Sequence, residues 1–263
     1  MTVAAARKAL VSGGASGFGL EIARRLRAAD ARVALLDLPG EQLERARNEL
    51  GEDVLALPAD VRSPTDVQRA VGAALSAFGG LDTLVISAGV IHIKPLGEVT
   101  EDDWYLTLDV NLKGAFLVAQ ASEEALRASG RGRVVAISSD AGRRGVPWLQ
   151  AYTASKFGLI GLIESLAVEL ANDHVTANCV CPVGCPTTGM GQNVLDWKTG
   201  QTSKSPEEIV ATTARLNPLG RNATEADVAD SVMFLISDQA SFLTGLSLDV
   251  DGGAHLGAMP GTD

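Results

Sequence analysis

A chain of 263 residues can bury the core of one large α/β domain, and 46% hydrophobic against 21% charged residues excludes disorder over most of its length. A net charge of −10 repels nucleic acid and anionic membranes, so neither is an expected partner, and a solvated acidic surface accounts for it. Cys179, Cys181 and Cys185 fall in one segment with only His174 nearby, which makes neither a disulfide framework nor a metal site; no metal is expected.

The run from Met1 to Gly14 holds too few consecutive apolar residues for a signal peptide or a membrane span, and the expected location is the cytoplasm. Ala9 to Ser12 reads as a strand, followed by a helix from Gly17 to Ala29 with Leu20, Ala23 and Leu26 at core spacing. A second strand spans Val33 to Asp37, a helix Glu41 to Leu50, and a third strand Val54 to Pro58. Ser63, with Pro64 and Asp66 behind it, caps a helix that Gly79-Gly80 ends after Phe78. Asp82 to Ser87 is the fourth strand, and Thr100 caps one long helix to about Ala128. Arg133 to Ser138 is the fifth strand, Leu149 to Ala171 a helix, and Val175 to Cys181 the sixth strand. Gly, Thr and Pro then dominate from Pro182 to about Pro218, with one helix announced by the capping-box spacing of Ser205-Pro206-Glu207-Glu208. Thr224 caps a helix to about Ser237, and Leu246 to Val250 is the last strand.

This alternation predicts an α/β fold. A single Rossmann-type, doubly wound domain covers residues 1–263, with a seven-stranded parallel sheet flanked by helices on both faces. The exceptional stretch at about 183–218 is expected to be a substrate loop or lid.

Two patterns carry chemistry. In the first strand-to-helix turn, Ser12-Gly13-Gly14-Ala15-Ser16-Gly17-Phe18-Gly19, the glycines let the backbone turn sharply and let a pyrophosphate approach the helix N-terminus. Asp37 ends the second strand, where an acid binds ribose hydroxyls and repels a 2′-phosphate; neither Leu38 nor Pro39 supplies a cation, so NAD is expected over NADP. The second pattern is Tyr152 and Lys156, one helical turn apart. A free phenol ionises near ~10, too high for a base at neutral pH, and an adjacent ammonium favours the phenolate. On spacing alone, a Tyr packed at a helix surface beside a solvated Lys is the usual reading.

With these motifs in order along nearly the whole chain, the sequence resembles the short-chain dehydrogenase/reductase family. Ser12 stands in the Thr place of the family's glycine pattern, Tyr152 and Lys156 form its Tyr-x-x-x-Lys pair, Ser139 lies where its catalytic Ser does, and Asn111 matches its Asn. Asp60-Val61 resembles its adenine-binding pair, and Thr244-Gly245 and Val250-Asp251-Gly252-Gly253 its ending. The resemblance implies that Tyr152 exchanges a proton with the substrate oxygen, Lys156 lowers the Tyr pKa and binds the nicotinamide ribose, Ser139 hydrogen-bonds the substrate oxygen, and Asn111 holds a water joining Lys156 to solvent. It implies cofactor contacts from Ser12, Gly13, Ser16, Gly17, Phe18, Gly19, Asp37, Leu38, Asp60, Val61, Ser87, Ala88, Gly89, Pro182, Val183, Cys185 and Thr187, besides Tyr152 and Lys156. Ile86-Ser87-Ala88-Gly89 replaces the family's Asn-Asn-Ala-Gly, so Ser87 and the backbone must supply those contacts. Val183 replaces a Gly and should narrow the pocket, and Cys185 replaces Val or Ile with no role for its thiol. A homotetramer is the family expectation.

A substrate is expected among His92, Ile93, Ala141, Arg143, Arg144, Trp148, Val183 and Met190. His92 is more simply a pocket-wall residue, and at least one of Arg143 and Arg144 a solvated cation. The expected activity is NAD(H)-dependent interconversion of a secondary alcohol and its ketone, a small molecule being the only partner besides further copies of the chain. The alternatives are an NADPH-dependent 3-oxoacyl carrier reductase, which Asp37 and the acidic surface disfavour, and a non-catalytic NAD-binding sensor, which could dispense with Tyr152, Lys156, Ser139 and Asn111.

Overall fold

In the computed structural model, which describes residues 7–257, short apolar runs form a seven-stranded parallel sheet in the order β3-β2-β1-β4-β5-β6-β7. The strands are β1 (Lys8–Ser12), β2 (Arg32–Asp37), β3 (Leu55–Pro58), β4 (Thr83–Ile86), β5 (Arg133–Ile137), β6 (Thr176–Pro182) and β7 (Ser247–Val250). Alternate side chains enter opposite layers. Leu10, Leu36, Leu84 and Val134 face one core, which α3 (Pro64–Phe78), α5 (Gly114–Ala128) and α6 (Gln150–Glu169) cover. Val11, Leu35, Val85, Val135 and Val180 face the other, under α1 (Gly17–Ala28), α2 (Glu41–Leu50) and α9 (Glu225–Ile236). β1 pairs with β2 on one side and β4 on the other, so the connections after β1 and β4 diverge and open a crevice at the C-terminal ends of the strands.

The caps follow the sequence closely: Ser63 accepts from Asp66 N, and Thr100, Ser205 and Thr224 each form a capping box. Two elements differ from expectation. The helix expected from Thr100 to Ala128 is α4 (Glu101–Leu108), a π-helical turn at Asp109–Lys113, and α5. The wide turn carries Asn111, whose side chain is fully engaged with neighbouring elements, and π-turns inside helices commonly mark such sites. The stretch after β6 holds two helices, α7 (Gly189–Gln201) and α8 (Pro206–Arg215). Gly189, Gly191 and Gly200 dilute the helical pattern of α7. Gly191 is needed there, since a Cβ would stand 1.8 Å from the Cys185 carbonyl oxygen. Thr188 caps α7 through Gly191 N. No helix among the described residues is long and apolar enough to cross a membrane. The first six residues of the N-terminal run lie outside the described residues.

Candidate active site

The crevice is a cavity of about 930 Å³ that runs from the glycine turn, past the ends of β2 and β4, to α7 and α8. At one end, Gly13, Ser16, Gly17 and Phe18 form its wall. Gly13 has φ +67, and a Cβ on it would lie 2.6 Å from the Ala88 backbone, so only glycine lets the turns after β1 and β4 meet. Ser16 makes no side-chain cap to α1, and the first turn holds no acid, which leaves its N–H groups and positive dipole end for an anion. That is the environment a pyrophosphate requires. Ser12 and Gly19, expected among the cofactor contacts, support the turn from behind. Ser12 is buried and accepts from Ser87 N at 3.3 Å, and a Cβ on Gly19 would meet the Gly13 carbonyl oxygen at 2.1 Å.

Asp37 and Leu38 line the same end. Asp37 is fixed by two backbone donors, Ala15 N at 2.9 Å and Leu38 N at 2.8 Å, one on each oxygen. Asp60 and Val61 stand beside them. Arg62, which sequence reasoning passed over, also lines the wall; it grips the Asp60 carboxylate at 2.6 Å and holds that carboxyl below its ordinary range. Ser87, Ala88 and Gly89 form the floor, with Ser87 joined to the sheet through its backbone N–H to Ser12 O.

Ser139, Tyr152 and Lys156 converge on the middle of the cavity, all three buried. Ser139 enters at the end of β5; its hydroxyl donates to Asp140 Oδ1 at 3.1 Å and accepts from Ala141 N at 3.2 Å. Burial pushes the Tyr152 phenol up to about 12; Ser139 opposes that rise and Asp140 adds to it. The ammonium of Lys156 lies 5.5 Å from the Tyr152 ring centre and donates to the Ile137 carbonyl at 2.8 Å, and burial brings its pKa down to about 8. Burial sets the direction of the phenol's pKa in this state, and Lys156 is not among the groups that shift it. Asn111 does not line the cavity. Its Oδ1 accepts from Val90 N, and its Nδ2 donates to Val90 O and Ser155 Oγ, so it clamps the connection after β4 to α6 from behind Gly89.

Pro182, Val183 and Cys185 line the cavity. Thr187 does not. Its hydroxyl donates to Glu225 at 2.7 Å in a separate recess, and Thr188 takes the place on the wall, packed over Gly17. The Cys185 thiol is buried, which pushes its pKa up.

Of the expected substrate residues, His92, Ala141, Val183 and Met190 reach the cavity. His92 Nδ1 is 3.0 Å from Thr107 Oγ1, and the Met190 sulfur lies 4.0 Å from the Tyr152 hydroxyl. Arg144 and Trp148 lie outside the lining, as do Arg143 and Ile93. Acids within reach hold both arginines: Arg144 pairs with Asp140 at 3.1 Å and Arg143 with Asp249 at 3.3 Å. Trp148, at φ +64, turns its ring onto Trp197 of α7, with centroids 5.2 Å apart. The sequence reading missed Val146, Leu149, Val194, Lys198 and Val210 in the wall. The last three lie on α7 and α8, and recognising α7 would have exposed the first two of them through its cavity-facing stripe.

A family model described as enoyl-(acyl carrier protein) reductase matches residues 13–255. The chain belongs to the short-chain dehydrogenase/reductase family. It is thereby an oxidoreductase acting on hydroxyl groups, in a family that uses nicotinamide dinucleotides. Similar proteins include a putative ketoacyl reductase of the granaticin polyketide synthase of Streptomyces violaceoruber, 37% identical over 93% of this chain and 92% of the relative. A 3-alpha-(or 20-beta)-hydroxysteroid dehydrogenase of Mycobacterium tuberculosis is 36% identical over 95% of this chain and 89% of its own. Among solved structures, an actinorhodin polyketide ketoreductase variant crystallised with NADPH has a TM-score of 0.89 at 34% identity, covering 95% of this chain and 97% of that one.

Proposed function

We propose that this dehydrogenase/reductase interconverts a secondary alcohol and its ketone with NAD(H), using Tyr152 as the general acid/base. The observation that carries the reading is convergence: Ser139, Tyr152 and Lys156 meet in one cavity with the glycine turn and the uncapped N-terminus of α1. The dinucleotide, when bound, supplies or accepts the hydride. The chain's own groups handle the proton and the charge. A phenol ionising at about 12 holds its proton at neutral pH and can give it to a carbonyl oxygen; in the reverse direction the same oxygen takes the proton back. Ser139, buried beside it, turns its hydroxyl from Asp140 to the substrate oxygen as charge develops there. Lys156 provides positive charge over the Tyr152 ring, 5.5 Å from its centre, and Asn111 acts from behind by fixing Val90 and Ser155.

Asp37 supports NAD over NADP. Each of its oxygens accepts one backbone N–H and keeps a lone pair for a ribose hydroxyl, while its charge opposes a 2′-phosphate. The nearby cation, Arg62, is already matched by Asp60. The second reading, an NADPH-dependent ketoacyl reductase, is favoured by the ketoreductase relatives and by NADPH in a similar structure. Turnover of a panel of secondary alcohols and ketones with each cofactor separates the two: this reading expects NAD(H) to give at least tenfold higher kcat/KM, and a preference for NADPH would move the chain to the second. We also read residues 183–218 as the lid over the reacting centre, since Met190 touches the Tyr152 hydroxyl. Assembly as a homotetramer is supported by the exposed Phe116 on α5 and Phe157 on α6, apolar surface a monomer would leave in water.

A further inference from the structure

On the α7 wall of the cavity, one charge is unmatched. Lys198 lines the wall from α7, and its ammonium makes neither an ion pair nor a hydrogen bond among the described residues. The other cations of the wall are engaged, Arg62 by Asp60 and Lys156 by Ile137 O. Those around the mouth are engaged too: Lys94 by Asp103, Arg143 by Asp249 and Arg144 by Asp140.

The position of Lys198 along α7 is defined. Met190, Val194 and Lys198 repeat every four residues and all line the cavity, so they share its face of the helix. Met190 marks the reacting end through its contact with the Tyr152 hydroxyl. The tilted ring pair Trp148–Trp197 pins the other end of α7 over the loop that follows Ser139. At a rise of about 1.5 Å per residue, Lys198 lies about 12 Å further along the helix than Met190. Between them the wall is mostly apolar, with Val146, Leu149, Val194 and Val210, and Asn193 and Thr213 add polar, uncharged groups. A lone ammonium on a mostly apolar wall is a recognition point for an anion at a fixed distance from the reacting carbon.

We infer that Lys198 binds a carboxylate or sulfonate carried by a small-molecule substrate, separated from its carbinol or carbonyl carbon by an apolar spacer of roughly 8–12 Å. This rests on the proposed alcohol–ketone activity for what sits at Tyr152. A substrate delivered on an acidic carrier protein is disfavoured by the chain's own charge of −10.

The test is a series of straight-chain methyl-ketone carboxylates of increasing length, each beside its methyl ester. Their dissociation constants are measured by calorimetry on the full chain in the presence of NAD, with which a ketone cannot react. We expect an optimum length at which the acid binds at least tenfold more tightly than its ester. That gap should close in Lys198→Met and survive in Lys198→Arg. Equal binding of acid and ester at every length, no binding of any acid, or a gap that persists in Lys198→Met overturns the assignment. Hydride transfer from neutral secondary alcohols to NAD is measured separately. If it occurs without any acid–ester gap, the activity stands and only the role of Lys198 falls; if it does not occur while the gap is present, the reverse holds.

Discussion

The chain contains two tyrosines, Tyr105 and Tyr152, so replacing the exposed Tyr105 by Phe leaves the active-site phenol as the only one that can ionise. Its environment predicts where it does so. Burial moves it from the ordinary 10.0 to about 12, and at about 1.4 kcal/mol per pH unit this disfavours the phenolate by roughly 3 kcal/mol. Titration of tyrosinate absorbance in the Tyr105→Phe protein without cofactor should therefore give a midpoint near 12, while the denatured chain titrates at the ordinary value. Adding Asp140→Asn should lower the native midpoint, because a negative neighbour is gone, and adding Ser139→Ala should raise it. The sign for stability follows from the raised value. The native state holds the phenolic proton more tightly, so its contribution is complete below pH 10 and disappears as pH climbs through about 12. A native midpoint at or below the ordinary value would refute the argument that burial governs this phenol.

Lys156 makes the opposite contribution. Its pKa falls from 10.5 to about 8, so the folded chain binds this proton less tightly than the unfolded one. The penalty is complete below about 8 and fades as pH rises to 10.5. Lys156→Met should accordingly be more stable than wild type near pH 7 by up to ~3 kcal/mol in urea melts, less the lost bond to Ile137 O, and the gain should shrink by about pH 10; equal or lower stability near neutrality contradicts this. Thr187→Val should leave NAD affinity within about twofold by calorimetry, because the Thr187 hydroxyl serves Glu225. A tenfold loss would instead place that hydroxyl on the cofactor.

The strands, their order of appearance and the Tyr152–Lys156 pair on one helix face were legible because each rests on local chemistry. Apolar runs bounded by turn residues give the strands, Ser63, Thr100, Ser205 and Thr224 announce their helices, and Tyr152 and Lys156 must share a face at their spacing. What stayed hidden depends on tertiary contacts. The π-turn around Asn111 exists where the Asn side chain bridges Val90 and Ser155, which no local pattern encodes. Helix α7 is masked by glycines, one of which is required by a carbonyl from a neighbouring loop. Trp148 looks like a pocket residue along the chain, but Trp197, brought close by folding, takes it out of the wall, while Arg144 is drawn off by its local neighbour Asp140. Thr187 and Thr188 differ by one position in sequence, and only the path of the chain after β6 decides which faces the cavity.

Isotope transfer tests the central chemical claim most directly. A secondary alcohol deuterated at its carbinol carbon is incubated with NAD and the enzyme, and the reduced dinucleotide is weighed by mass spectrometry. The account predicts one deuterium per NADH formed, and loss of the transfer by a factor of about 10² or more in Tyr152→Phe while that variant still binds NAD. Deuterium transfer at the wild-type rate without the phenol would contradict it.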